Sequence, residues 1–168
     1  MKERKKDNIL IFLIIGLLLG IFVKLFVLDI LTINGQSMLP SIQDKNTVFV
    51  NKLAYGIVQP FSSSFLVQWD SPKENDVVIY LYNDKMVVKR CVATEFTPLV
   101  FSQNSEYNME VNEKLIPLKE EQYQRIKNSF FVPEGMVLAI GDNYAESVDS
   151  RNYGFVSVKN VIGKVLCK

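Results

Sequence analysis

Hydrophobic positions are distributed unevenly along the chain. Ile9 to Val23 carry no charge, Lys24 interrupts, and Leu25 to Leu28 continue the apolar stretch. At ~1.5 Å per residue, a helix running from Ile9 to Leu28 matches a hydrocarbon core of ~30 Å. Lys24 lies near the far end, where its stem can snorkel to the headgroups. The preceding Met1 to Asp7 sets Lys2, Arg4, Lys5 and Lys6 against Glu3 and Asp7, a basic excess that favours the cytoplasm. No A-x-A-like site follows the apolar run, so a retained anchor is expected rather than a cleaved secretory signal. The pattern divides the chain into a cytoplasmic tail (1–7), a transmembrane anchor (8–28) and a domain outside the membrane (29–168).

Beyond Leu28 no sustained 3.6-residue period occurs. Short β-rich runs take its place: Val48 to Val50, Val77 to Tyr82, Met86 to Ala93, Val132, Met136 to Ile140, and Val161 to Leu166. Turn signals separate them, among them Pro133-Glu134-Gly135, Gly141-Asp142-Asn143 and Asn152-Tyr153-Gly154. Tyr82-Asn83-Asp84-Lys85 between two apolar runs predicts a hairpin. The charged stretch Glu113 to Asn128 predicts a short surface helix. The expected fold is therefore mainly β, an antiparallel domain preceded by one transmembrane α-helix.

Composition narrows the chemistry. The 168 residues have a net charge of +1, which leaves no electrostatic footprint for nucleic acid. Histidine is absent, which removes Ser-His-Asp and Cys-His triads and His-ligated zinc. The two cysteines, Cys91 and Cys167, form no C-x-x-C pair, which removes thiolate zinc and iron–sulfur sites. An enzyme built from this chain must move protons with Asp, Glu, Lys, Tyr or the backbone, and no metal or cofactor is expected.

Three polar segments could hold that chemistry. Asn34-Gly35-Gln36-Ser37-Met38-Leu39-Pro40 places a serine close behind the anchor, and on its own also reads as a simple turn. Met86-Val87-Val88-Lys89-Arg90-Cys91-Val92-Ala93 carries two cations on one strand. Periodicity does not choose between them, since each shares its face with apolar neighbours. Chemistry does, because arginine cannot be deprotonated in a protein whereas a desolvated lysine can. The third segment, Gly141 to Gly154, is dense in Asp, Asn and Ser. It reads as a long polar loop or as the support of a site, with Asp149 and Arg151 spaced to pair. A fourth, apolar segment places Phe61, Phe65, Leu66, Val67 and Trp69 around Ser62-Ser63-Ser64. It could dip into a membrane interface or pack into the core.

Together these segments resemble bacterial type I signal peptidases, membrane-anchored serine proteases that remove signal peptides from exported proteins. Ser37-Met38-Leu39-Pro40 resembles the S-M-x-P box, and Asp76-Val77-Val78 the R-G-D-[IV]-V segment. Lys89-Arg90 resembles the K-R box, and Gly141-Asp142-Asn143 through Ser147, Asp149-Ser150-Arg151 and Gly154 the G-D-N-x-x-x-S-x-D-S-R-x-x-G box. The motifs occur in the family's order along most of the chain. Asn75 stands where a glycine is usual, and Tyr144 where an arginine is frequent.

The resemblance implies Ser37 as nucleophile and Lys89 as general base. It implies that Ser147 orients the Lys89 amine, that Asp149 pairs with Arg151 and Asp142 with Arg90, and that Met38 walls a pocket for a small side chain. The Ser37 N–H would bind the oxyanion. Its implied partners are signal-peptide-bearing preproteins and membrane lipid. The implied location is the bacterial cytoplasmic membrane, single-pass, with the catalytic domain on the outer side. Two alternatives remain open at this stage: a related Ser-Lys peptidase of conjugation-pilus processing, and an inactive anchored β-domain that binds envelope proteins.

Overall fold

The computed structural model describes residues 2–60, 65–104 and 106–167. Chain order begins with helix α1, Lys2–Phe22, followed by a π-helical turn, Val23–Val27. Asn8–Val27 is long and apolar enough to cross a membrane. The helical segment ends at Val27, and Leu28 opens strand β1, Leu28–Thr32. No loop separates the helical segment from the sheet.

The main sheet has seven strands. Besides β1 these are β2 (Thr47–Asn51), β5 (Val77–Tyr82), β6 (Lys85–Thr94), β10 (Met136–Ile140), β11 (Val156–Ser157) and β12 (Val161–Cys167). Their spatial order is β1-β2-β12-β5-β6-β10-β11, every pair antiparallel. The β5–β6 hairpin turns at Asn83 and Asp84 with φ of 48° and 59°, the left-handed pair that Asn and Asp tolerate and that suits strand twist. Two smaller sheets accompany it: β3 (Gly56–Val58) with β4 (Phe65–Gln68), and the meander β7 (Val100–Gln103), β8 (Tyr107–Val111), β9 (Lys114–Leu118). The expectation of a mainly antiparallel β fold behind an N-terminal apolar helix holds.

The helix expected over 113–128 is half wrong. Its first part is β9, whose Ile116 and Leu118 are buried while Leu115 and Pro117 face solvent, a period of two. Helix α2 occupies only Glu120–Ile126. Val132 lies in no strand. Its N–H donates a hydrogen bond to the Thr97 carbonyl at 3.0 Å.

Packing explains the unbroken apolar look of the central strands. Val78 and Tyr80 enter one buried cluster with Cys91, Val137 and Ala139, whereas Ile79 between them enters another with Ile33, Met38 and Val50. The centre of the sheet, at β5, is thus covered on both faces, as its sequence reads. A third cluster joins Leu138 and Ile140 to Met109 and Ile116 of the meander. Phe65 packs against the cluster of Val78, Tyr80 and Cys91, while Leu66, Val67 and Trp69 are exposed. Phe61 and Ser62-Ser63-Ser64 lie outside the described residues.

Candidate active site

The three polar segments meet at one place. Strand β6 carries Lys89 and Arg90 in its middle, where register fixes them opposite Val78 and Val77. Lys89 is 4% exposed, and its Nζ donates to Ser37 Oγ at 2.7 Å. Burial pushes the Lys89 amine below its ordinary pKa, with Arg151 adding to the effect and Asp149 and Asp142 opposing it. A desolvated ammonium beside a hydroxyl can lose its proton and then accept one from that hydroxyl.

Ser37 lies on a turn that the third segment holds in place. The Asn143 N–H donates to the Ser37 carbonyl at 3.0 Å, and Asn143 Nδ2 donates to the Gln36 carbonyl at 3.2 Å. Gly35, at φ 110°, occupies backbone space that a side chain would strain, and its N–H donates to Asp44 Oδ1 at 2.7 Å. Among the described residues the Ser37 N–H donates to nothing, so it is free to meet an oxyanion. Met38 is fully buried below the turn.

Arg90 ties three elements together. Its Nε and Nη2 donate to Asp142 Oδ1 and Oδ2 at 2.8 and 2.6 Å, its Nη1 to the Asn75 carbonyl at 3.0 Å, and its Nη2 to Ser41 Oγ at 3.2 Å. The fork binds a carboxylate in two places at once, which fixes direction as well as distance. Asn75 adopts φ 69°, a left-handed angle that asparagine tolerates in place of the glycine usual there.

Asp149 and Arg151 form a fully buried pair, with Arg151 Nε and Nη2 each 2.9 Å from the carboxylate oxygens. The same carboxylate accepts the Gly141 N–H at 3.0 Å and the Arg151 N–H at 3.1 Å, which caps the short helix α3, Ser150–Tyr153. Arg151 also donates to the carbonyls of Pro117 and Tyr144. The pair therefore pins the loop from Gly141 onward to the meander. Ser147 does not make the hydrogen bond expected of it. Its Oγ is buried and has no partner among the described residues, while the loop backbone brings it against Gly141.

Gly141, Asn143 and Ser41 escaped individual roles in the sequence reading. Gly141 is required because any Cβ there would overlap both Ser147 and the Ser37 carbonyl. The Gly-Asp-Asn spacing was visible, but not that it closes on a serine more than a hundred residues away.

A groove of about 550 Å³ runs along this arrangement, walled by residues 31–38 on one side and Met86 to Lys89 on the other, with Glu146 and Val148 at its edge. β6 pairs with β10 only from Arg90 onward, and β1 is an edge strand. Both walls thus offer unpaired backbone groups, the setting for an extended peptide that adds to a sheet.

A mainly antiparallel β-domain behind an apolar helix, with a groove along a buried Ser–Lys contact, sets the class. The chain matches the family model described as signal peptidase, peptidase S26, over residues 6–168, and it belongs to that family of peptide-bond hydrolases. It is 28% identical over 148 residues to the signal peptidase I of Bacillus caldolyticus, covering 84% of this chain and 79% of that one. It is 21% identical over 170 residues to a Staphylococcus aureus protein named inactive signal peptidase IA, covering 96% and 90% respectively. A solved signal peptidase I from Enterococcus faecalis aligns with a TM-score of 0.41 at 24% identity, over 58% of this chain and 97% of that one. Because one relative is named inactive, catalytic competence has to be argued from this chain's own residues.

Proposed function

We propose that the chain is a membrane-anchored serine endopeptidase that removes signal peptides with Ser37 as nucleophile and Lys89 as base. The 2.7 Å approach of Lys89 Nζ to Ser37 Oγ in a buried setting carries the reading. Residues 8–28 anchor it, 1–7 stay in the cytoplasm, and 29–168 act on the outer side of the bacterial cytoplasmic membrane. The precursor lies as a strand in the groove, between the chain before Ser37 and Met86 to Lys89. Met38 and its apolar neighbours favour a small residue before the cut.

Neutral Lys89 takes the Ser37 proton as Oγ attacks the peptide carbonyl. The free Ser37 N–H stabilises the oxyanion, a contribution of about 3–4 kcal/mol per donor in serine proteases. Lys89 then passes the proton to the leaving amine, and water hydrolyses the acyl-enzyme with Lys89 again the base. Asp149–Arg151 and Arg90–Asp142 act on structure, holding the loops that carry Gly141, Asn143 and Ser37. Ser147, buried beside Gly141 with no partner among the described residues, is assigned the orienting role toward the Lys89 amine. The test is incubation of detergent-solubilised protein with a precursor bearing A-x-A before the mature start. The parent should release the mature product. Ser37→Ala should not, and equal cleavage by that variant would end the reading.

A further inference from the structure

Among the described residues that line the groove, only Lys89 and Glu146 have ionisable side chains of acid or amine type. Glu146 is exposed, and among the described residues it makes no side-chain hydrogen bond or ion pair. Its backbone is nonetheless fixed relative to the nucleophile. The Glu146 N–H donates to the Asn143 carbonyl at 3.2 Å, and Asn143 in turn donates to Ser37. Along this loop, residues alternate. Ser147 and Asp149 turn inward and are buried, whereas Glu146 and Val148 turn outward and line the groove. The carboxylates whose charge reaches Lys89 are Asp149 and Asp142. Glu146, exposed and on the groove wall, therefore presents its carboxylate to whatever occupies the groove.

We propose that Glu146 is a charge-selecting residue for the substrate, favouring a basic side chain and disfavouring an acidic one within two positions of the cut bond. The inference rests on the peptidase reading above and names a preference that reading does not contain. A solvent-screened carboxylate both attracts one substrate and repels the other, so the preference should be about fivefold between them.

Three precursors are compared, identical except that the second residue before the cut and the first after it are both neutral, both Lys or both Asp. They are cleaved by the full detergent-solubilised chain and by Glu146→Gln and Glu146→Lys. The expected Lys-to-Asp ratio of kcat/KM is about fivefold for the parent at low salt, carried mainly by KM and shrinking as salt is added. It should fall to about one in Glu146→Gln and invert in Glu146→Lys. A parent ratio near one, or a ratio unchanged in both variants, overturns the inference alone. Failure of the parent to cut even the neutral precursor overturns the peptidase reading and this inference with it.

Discussion

At Gly141 the site has no room for a side chain. An ideal Cβ on Gly141 would stand 2.5 Å from the Ser37 carbonyl oxygen and 2.7 Å from Ser147 Cβ. An ordinary non-bonded contact needs about 3.5 Å, so Gly141→Ala is short of room by about 1 Å. The Ser37 carbonyl cannot swing aside as a side chain would, because it is backbone and accepts from Asn143. The methyl group must push the nucleophile turn away from Lys89. A displacement of that size costs about 100-fold in rate, or about 2.7 kcal/mol in activation free energy. Overpacking should also cost about 1–3 kcal/mol of stability. The assay is kcat for precursor cleavage beside thermal unfolding of the same preparation. We expect kcat to fall about 100-fold with KM little changed. A variant within threefold of the parent in kcat, at unchanged melting temperature, would show that the loops have slack and that Gly141 does not set the geometry.

Two further outcomes follow from the buried charges. Burial lowers the Lys89 pKa below its ordinary 10.5, so the ammonium is disfavoured in the fold. Lys89→Met should abolish cleavage yet raise the melting temperature at neutral pH. Because the penalty is present below the folded-state pKa and vanishes above the unfolded-state value, that gain should shrink as pH rises toward 10.5; a lowered melting temperature at neutral pH would refute it. Asp149 and Arg151 are 0% and 1% exposed, so Arg151→Met strands a buried carboxylate and should cost about 3–5 kcal/mol. The double variant with Asp149→Asn should cost less than the two single changes added together, and strict additivity in denaturant unfolding would contradict the coupling.

What could be read from the chain alone follows from where each residue's partners lie. Strands β5, β6 and β10 are legible because burial on both faces over much of their length demands near-continuous apolar runs, and β12 because its buried face alternates with a partly exposed one. β1 was hidden because its apolar residues merge with those of the anchor, and the meander because its strands alternate weakly among charged residues. Asn112 and Glu113, both at positive φ, make the turn that separates β8 from β9, just where the charged stretch from Glu113 suggests a helix to begin. The motif residues that converge on Ser37 and Lys89 were all named beforehand. Why they converge was not visible: Gly141's need for bareness and Asn143's grip on the Ser37 turn depend on register between distant strands.

The absence of any loop between Val27 and Leu28 has a mechanical consequence. The chain leaves the π-helical turn, becomes β1, and within a few residues is one wall of the groove. Were α1 to span a bilayer, no loop would stand between it and that wall to absorb a tilt of the helix. A change in lipid thickness that leans the helix would swing the cutting edge along the precursor, so bilayer composition would help choose which bond is presented.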